Sequence, residues 1–301
     1  MSGGSSTGVR HDGAVDIVIA GCGDLGIETG LRFAAGGHRV VGLRRRGELV
    51  PAPLTGRSVD LRRSVPEIPA STAVVVVAVA AGSRDVDEYR ATYVDGLRNV
   101  LDGIDASGAS PRLVVVSSTA VYDVDDGGTV TEDTPADGGS PTADVLLEAE
   151  ALLRERAPGA VLARLSGVYG PGRERLIDQV RGGGARSAPA DGSSPHTNRI
   201  HRDDAAAALV HLATLDDPAP TYLVTDDEPA RLDDVYAFLA AELRVAVPPR
   251  AEAGAGAAGR QGAGDKRLSN ALLRSTGWAP RYPTFREGYR AVLAGVGTRH
   301  P

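Results

Sequence analysis

A chain of 301 residues, 42% apolar and 24% charged, has room for one large α/β unit or two modest domains around a real core. A formal net charge of −6 leaves no cationic excess to neutralise phosphates, which argues against a nucleic-acid partner. The longest apolar run, AVVVVAVAA at 73–81, is far too short to span a bilayer, and a single cysteine, Cys22, excludes an internal disulfide or a cysteine-rich zinc site.

Residues 1–13, MSGGSSTGVRHDG, lack the apolar centre of a secretory signal and read as a disordered tail, so a cytoplasmic location is expected. VDIVIA at 15–20 is a short apolar strand running into GCGDLG. The helix that follows closes at Gly36 and Gly37, a normal C-terminal stop. HRVVGLRR is a second strand, and the β-branched run at 73–80 is what a strand buried on both faces of a parallel sheet requires. A helix from Asp85 to Ala106 and the strand RLVVVSS at 112–118 come next.

After an acidic loop (123–140), PTADVLLEAE opens a helix with Ser140 as cap and Pro141 in the first turn. Val145, Leu146, Ala149, Leu152 and Leu153 give it an apolar stripe, and AVLARLS at 160–166 is another strand. This alternation predicts an α/β fold of the Rossmann type, a doubly wound parallel sheet over 14–166. From 167 to 301 the pattern loosens into short helices and loops, read as mainly a smaller substrate-binding lobe over the C-terminal edge of the sheet. Its low-complexity stretch 251–265 is expected to be mobile.

Gly21, Gly23 and Gly26 form G-x-G-x-x-G directly between a strand and a helix, with Cys22, Asp24 and Leu25 between them. The glycines allow a tight turn and close backbone approach to a pyrophosphate, and the helix N-terminus faces its charge. Ala78, Val79 and Ala80, at the end of the valine strand, are expected to line the same site. At the end of the second strand, where NAD enzymes place an acid, stand Arg44, Arg45 and Arg46. Arginine forks suit a phosphate, so NADP(H) is expected over NAD(H). The alternative is a solvated charge run, and even then no acid stands at the NAD position. Asp60 is a candidate for the adenine amino group.

IAGCGDLG, VVVSSTAVY, RLSGVYGPGR and NRIHRDDAA occur in one order along residues 15–295. In this the chain resembles the extended short-chain dehydrogenases/reductases, the NAD(P)-dependent epimerase/dehydratase superfamily, and an atypical branch of it. The resemblance implies a Ser at the end of the fifth strand, here Ser118, with Ser117 or Thr119 assisting. It also implies a Tyr and, four residues on, a Lys that carry the proton chemistry. Counting back from Ala149 and Glu150 puts Thr142 and Leu146 at those two positions. No tyrosine lies between 123 and 168, and Lys266 is the only lysine in a chain whose near-exclusive use of Arg fits a GC-rich bacterial genome.

Candidates to replace the missing acid are Tyr122, Tyr169, His201 and Lys266, each with a structural alternative. Arg173, Asn198, Arg199 and Arg202 are candidates for substrate contacts, the arginines for an anionic group. No spacing suggests a metal site. The leading expectation is an NADP(H)-binding oxidoreductase acting on a small polar metabolite. An epimerase, dehydratase or isomerase-lyase with a transient or structural cofactor is the second, and a catalytically silent NADP sensor is the third. A homodimer is the expectation from the family.

Overall fold

In the computed structural model the described residues are 13–189, 194–252 and 264–301, so the expected tail at 1–13 and loop at 251–265 fall largely outside them. The chain opens with β1 (Asp16–Ala20), α1 (Asp24–Ala35), β2 (Arg39–Arg44), β3 (Thr55–Ser58) and β4 (Thr72–Val77). The helix expected over 85–106 is instead three pieces: α2 (Val86–Tyr89), a π-helical segment (Arg90–Asp95) and α3 (Gly96–Ser107). α3 stops at Gly108, whose φ of +68° favours a residue without a Cβ.

β5 (Arg112–Ser118) and the short β6 (Gly128–Val130) lead to α4 (Pro141–Arg156). The Ser140 hydroxyl accepts from the Ala143 amide at 3.3 Å and Pro141 occupies the first turn, as the sequence predicts. β7 (Val161–Leu165), β8 (Gly167–Tyr169), α5 (Arg175–Arg181), β9 (His196–Thr197), β10 (Arg199–His201) and α6 (Arg202–Thr214) follow. The chain then forms β11 (Thr221–Val224), β12 (Ala230–Arg231), α7 (Leu232–Leu243), β13 (Lys266–Leu268), α8 (Ala271–Ser275) and α9 (Phe285–Leu293).

Seven parallel strands make the central sheet in the order β11-β7-β5-β4-β1-β2-β3. Strand order reverses between β1 and β4, which opens a crevice at their C-terminal ends. On one face, Ile27 and Phe33 of α1 and Ala205, Ala208, Leu209 and Leu212 of α6 cover Ile17, Ile19, Val74 and Val76. On the other, Leu97, Val100 and Leu101 of α3 and Val145, Ala149 and Leu153 of α4 cover Val18, Val75, Val77 and Val115. The valine run of β4 is thus buried from both sides, which is why it shows no alternation.

β11 adds the last strand of the sheet and α6 packs on α1, although both come from the second part of the chain. A third apolar cluster, Ile177, Val235, Leu239, Phe285 and Tyr289, gathers residues from the second part of the chain. Three short strand pairs lie outside the seven-stranded sheet: β8 with β10, β9 with β12, and β6 with β13, the last of which joins the first part of the chain to the second. Among the described residues no helix is long and apolar enough to cross a membrane, and no group of three His, Cys, Asp or Glu is placed to hold a metal.

Candidate active site

A cleft of about 680 Å³ lies along the crevice. Gly21, Gly23, Asp24 and Leu25 form one wall, and Ala78, Val79 and Ala80 another. Arg44, Arg45, Arg46 and Asp60 stand along the cleft as well, and Ser117, Ser118 and Arg173 line it too. Two glycines explain the turn. At Gly21, φ is +87° and an added Cβ would lie 2.7 Å from Ala78 and Val79 backbone atoms; at Gly26 it would lie 2.6 Å from the Gly21 carbonyl oxygen. An added Cβ at Gly23 meets nothing within 4 Å, so backbone is presented to open space there. The donor set, a bare glycine turn at a helix N-terminus ringed by arginines, fits a dinucleotide phosphate.

Two members of the glycine motif do not line the cleft. Cys22 is fully buried in the apolar core, where burial pushes its thiol up to about 12, and Gly26 serves helix packing. Asp24, at the first turn of α1, accepts from Arg173 at 2.9 Å, from Arg202 at 2.7 Å and from the His300 amide at 3.1 Å. Burial works against its charge, yet these partners hold its carboxyl below the ordinary value. An acid thus sits beside the glycine turn with its charge already matched. Arg44 Nη1 donates to the Pro301 oxygen at 2.7 Å, while Arg45 and Arg46 are exposed. Asp60 is held by Arg62 in a bidentate pair at 2.8 and 2.9 Å, so its carboxylate is already engaged; Arg62 also lines the cleft and was not foreseen.

At the far end, Ser118 Oγ accepts from the Ala120 amide at 3.2 Å and keeps its own proton available. Ser117 Oγ donates to Glu150 Oε1 at 2.7 Å. Glu150, 2% exposed, takes a two-pronged ion pair from Arg164, whose Nη1 donates to the Tyr122 phenol at 2.6 Å. Leu146 packs among Val121, Tyr122 and Val130, and Thr142 faces its own cap residue Ser140.

The four sequence candidates for the missing acid are not on the cleft wall. Tyr122 is 1% exposed and locked to Arg164. Tyr169 is buried against His201 and Tyr289, at 5.4 and 4.5 Å between ring centroids, and burial raises its phenol far above the ordinary range. Lys266 is 5% exposed, with Nζ bound to the Tyr122 carbonyl at 2.5 Å, and burial lowers its pKa. His201 caps α6 by accepting from the Asp203 amide at 3.2 Å. Three substrate candidates are likewise structural. The Thr119 hydroxyl faces the Leu165 carbonyl, Asn198 bridges Lys266 and Leu268 backbone, and Arg202 is 1% exposed among Asp24, Asp203 and Glu28. Arg199 is also buried, its guanidinium over the Phe285 ring.

His201 and Asp226 are buried titratable groups whose displaced pKa values link folding stability to pH. Burial, partly offset by Asp203, lowers the imidazole to about 4, and burial, partly offset by Arg199, raises Asp226 to about 8. The unfolded chain titrates His near 6.5 and Asp near 3.8. Below pH 6.5 the unfolded state takes up a proton that folded His201 refuses, so its contribution is lost as pH falls towards 4. Folded Asp226 keeps a proton that the unfolded state releases, so its contribution is lost as pH rises from about 4 to about 8. The two oppose each other below pH 6.5 and Asp226 acts alone above it. Thermal stability is expected to fall between pH 6.5 and 8, and Asp226→Asn to flatten that fall; an unchanged slope in the variant refutes the assignment.

Sequence reasoning missed Tyr93. It is half-buried, stands on the π-helical segment and lines the cleft beside Ser117. Arg173 also borders an adjoining open groove of about 640 Å³ with Arg175 and Gln179.

Residues 17–224 match the model of the NAD dependent epimerase/dehydratase family. Among solved structures, a protein from Methylobacillus flagellatus classed with the NAD-dependent epimerases/dehydratases is 36% identical, with a TM-score of 0.77 over 93% of this chain and 98% of that one. A conserved protein of unknown function from Silicibacter pomeroyi is 26% identical, with a TM-score of 0.76 over 94% and 99%. UDP-glucuronic acid 4-epimerase from Bacillus cereus, in complex with NAD, shares the fold at 16% identity, with a TM-score of 0.75 over 93% and 96%. No curated protein matches the chain.

Proposed function

The chain belongs to the NAD dependent epimerase/dehydratase family and is an enzyme of that class, and on this premise we propose that it is an NADP(H)-binding oxidoreductase acting on a small polar metabolite with an anionic group. The observation that carries this reading is the cationic end of the cleft. Arg44 ends β2, Arg45 and Arg46 follow it and Arg62 lines the same stretch; of the acids there, Asp60 is engaged by Arg62 and Glu88 by Ser83 and the Gly82 amide. A ribose carrying a phosphate finds fork donors there, and a bare ribose finds no free carboxylate.

The turn at Gly21 and Gly23 and the N-terminus of α1 would hold the pyrophosphate, with Ala78–Ala80 along one side. The reduced nicotinamide, when bound, supplies a hydride. Ser118 directs its free hydroxyl proton at a substrate carbonyl, since its oxygen is fixed by the Ala120 amide. Arg173, held through Nε by Asp24, has the rest of its fork free between cleft and groove for an anionic substrate group.

Calorimetry with NADPH and NADH tests the cofactor reading. We expect NADPH to bind at least about tenfold more tightly, a difference of about 1.4 kcal/mol; tighter NADH binding overturns it. Loss of the nicotinamide absorbance with a panel of carbonyl compounds tests the reaction. The second reading, an epimerase or dehydratase with retained cofactor, is favoured by the family itself, and it predicts substrate conversion with no net change in that absorbance.

A further inference from the structure

We propose that Tyr93 is the proton donor of this enzyme, acting from the cleft wall in place of the tyrosine that α4 lacks. The inference rests on the oxidoreductase reading above and assigns its missing residue. At the Ser118 end of the cleft, α4 offers no free proton donor: its Glu150 is a buried carboxylate paired with Arg164 and bound by Ser117. Leu146 is buried in an apolar cluster, and Thr142 lies at the helix start beside Ser140. Of the eight tyrosines in the chain, all among the described residues, Tyr93 is the one that lines the cleft.

Its placement follows from the backbone. Arg90–Asp95 is π-helical between two α-helical pieces, and the extra residue per turn changes the direction in which position 93 points. Such insertions recur at functional sites because they re-aim one side chain without ending the helix. Tyr93 packs at a 50° tilt against Tyr89, 5.1 Å between ring centroids, which restrains the ring, and it shares the cleft wall with Val79, Val116 and Ser117. Burial raises the phenol above its ordinary value, Tyr89 adds to this, and a backbone hydrogen bond from Ala81 pulls the other way. The phenol therefore holds its proton at neutral pH, the state a donor requires.

In the step, the Tyr93 O–H bond breaks and an O–H bond forms on the substrate's carbonyl oxygen, which becomes the alcohol. The electron pair stays on Tyr93 as phenolate, and water in the open cleft returns the proton. The proton balances the hydride received at carbon, so the substrate is reduced by two electrons and the nicotinamide is oxidised by two.

Tyr93→Phe keeps the ring and removes only the hydroxyl. Turnover is expected to fall on the order of 100-fold or more, with thermal stability and NADPH affinity unchanged and the alkaline limb of the pH–rate profile abolished. A second readout needs no substrate. In the unaltered protein, NADP⁺ should shift the titration of one phenol, followed by tyrosinate absorbance, and Tyr93→Phe should lack that response. Tyr122→Phe is the control, expected to lose stability and keep turnover. Undiminished turnover in Tyr93→Phe, or the same nucleotide-dependent phenol in that variant, overturns the assignment. If the unaltered protein binds NADPH but reduces no carbonyl compound, the oxidoreductase reading fails by itself, and the phenol titration still decides Tyr93.

Discussion

Replacing Glu150 by alanine is expected to cost about 3–5 kcal/mol of folding stability, which in a chain of this size is on the order of a 10 °C fall in Tm. Glu150 and Arg164 are 1% and 5% exposed at the side chain, and their closest approach is 2.5 Å. Without the carboxylate, a guanidinium remains charged in a place water does not reach, and the Ser117 hydroxyl loses its acceptor. Desolvation of the unpaired charge, rather than the lost attraction, dominates that figure. Glu150→Leu combined with Arg164→Met removes both charges and should recover most of the loss. Thermal unfolding of the single and double variants decides this. If Glu150→Ala unfolds within a degree or two of the unaltered protein, or if the double variant is as unstable as the single, the pair is not the buried support described.

The second large effect is on cofactor choice. Arg44→Ala with Arg45→Ala should weaken NADPH binding by about 10- to 100-fold for each guanidinium that meets the phosphate, since a hydrogen bond to a charged group contributes about 1.5–3 kcal/mol. NADH binding should barely change, because the glycine turn and Ala78–Ala80 are untouched. Parallel calorimetric titrations with the two nucleotides read the difference directly. An equal loss for both would mean that the arginines act on the pyrophosphate or on the general potential of the cleft, and the reading of NADP(H) would fall.

Both effects depend on residues that the sequence exposed unequally. Arg44 and Arg45 were legible because their place at the end of β2 follows from a strand–turn–helix–strand order that local patterning dictates. Glu150 enters the sequence pattern only as part of a register, and its partners Ser117 and Arg164 lie 33 and 14 residues away, beyond the reach of periodicity. Tyr122 and Tyr169 follow or end strands near the cleft and so look exposed to it. One is claimed by a buried guanidinium and the other by an aromatic cluster, and neither partner can be read from neighbouring residues.

What the sequence by itself determined was the scaffold and one absence. The valine run of β4, the glycine turn after β1 and the caps of α4 are local signals, and hydrophobic burial turns them into a parallel sheet whose crevice lies where strand order reverses. The lack of a tyrosine and a lysine on α4 was equally plain. Only the tertiary structure decided which side chains face the crevice. A single π-helical segment re-aims Tyr93, and a buried ion pair withdraws Tyr122, because side-chain direction depends on helix register and distant partners rather than on residue type.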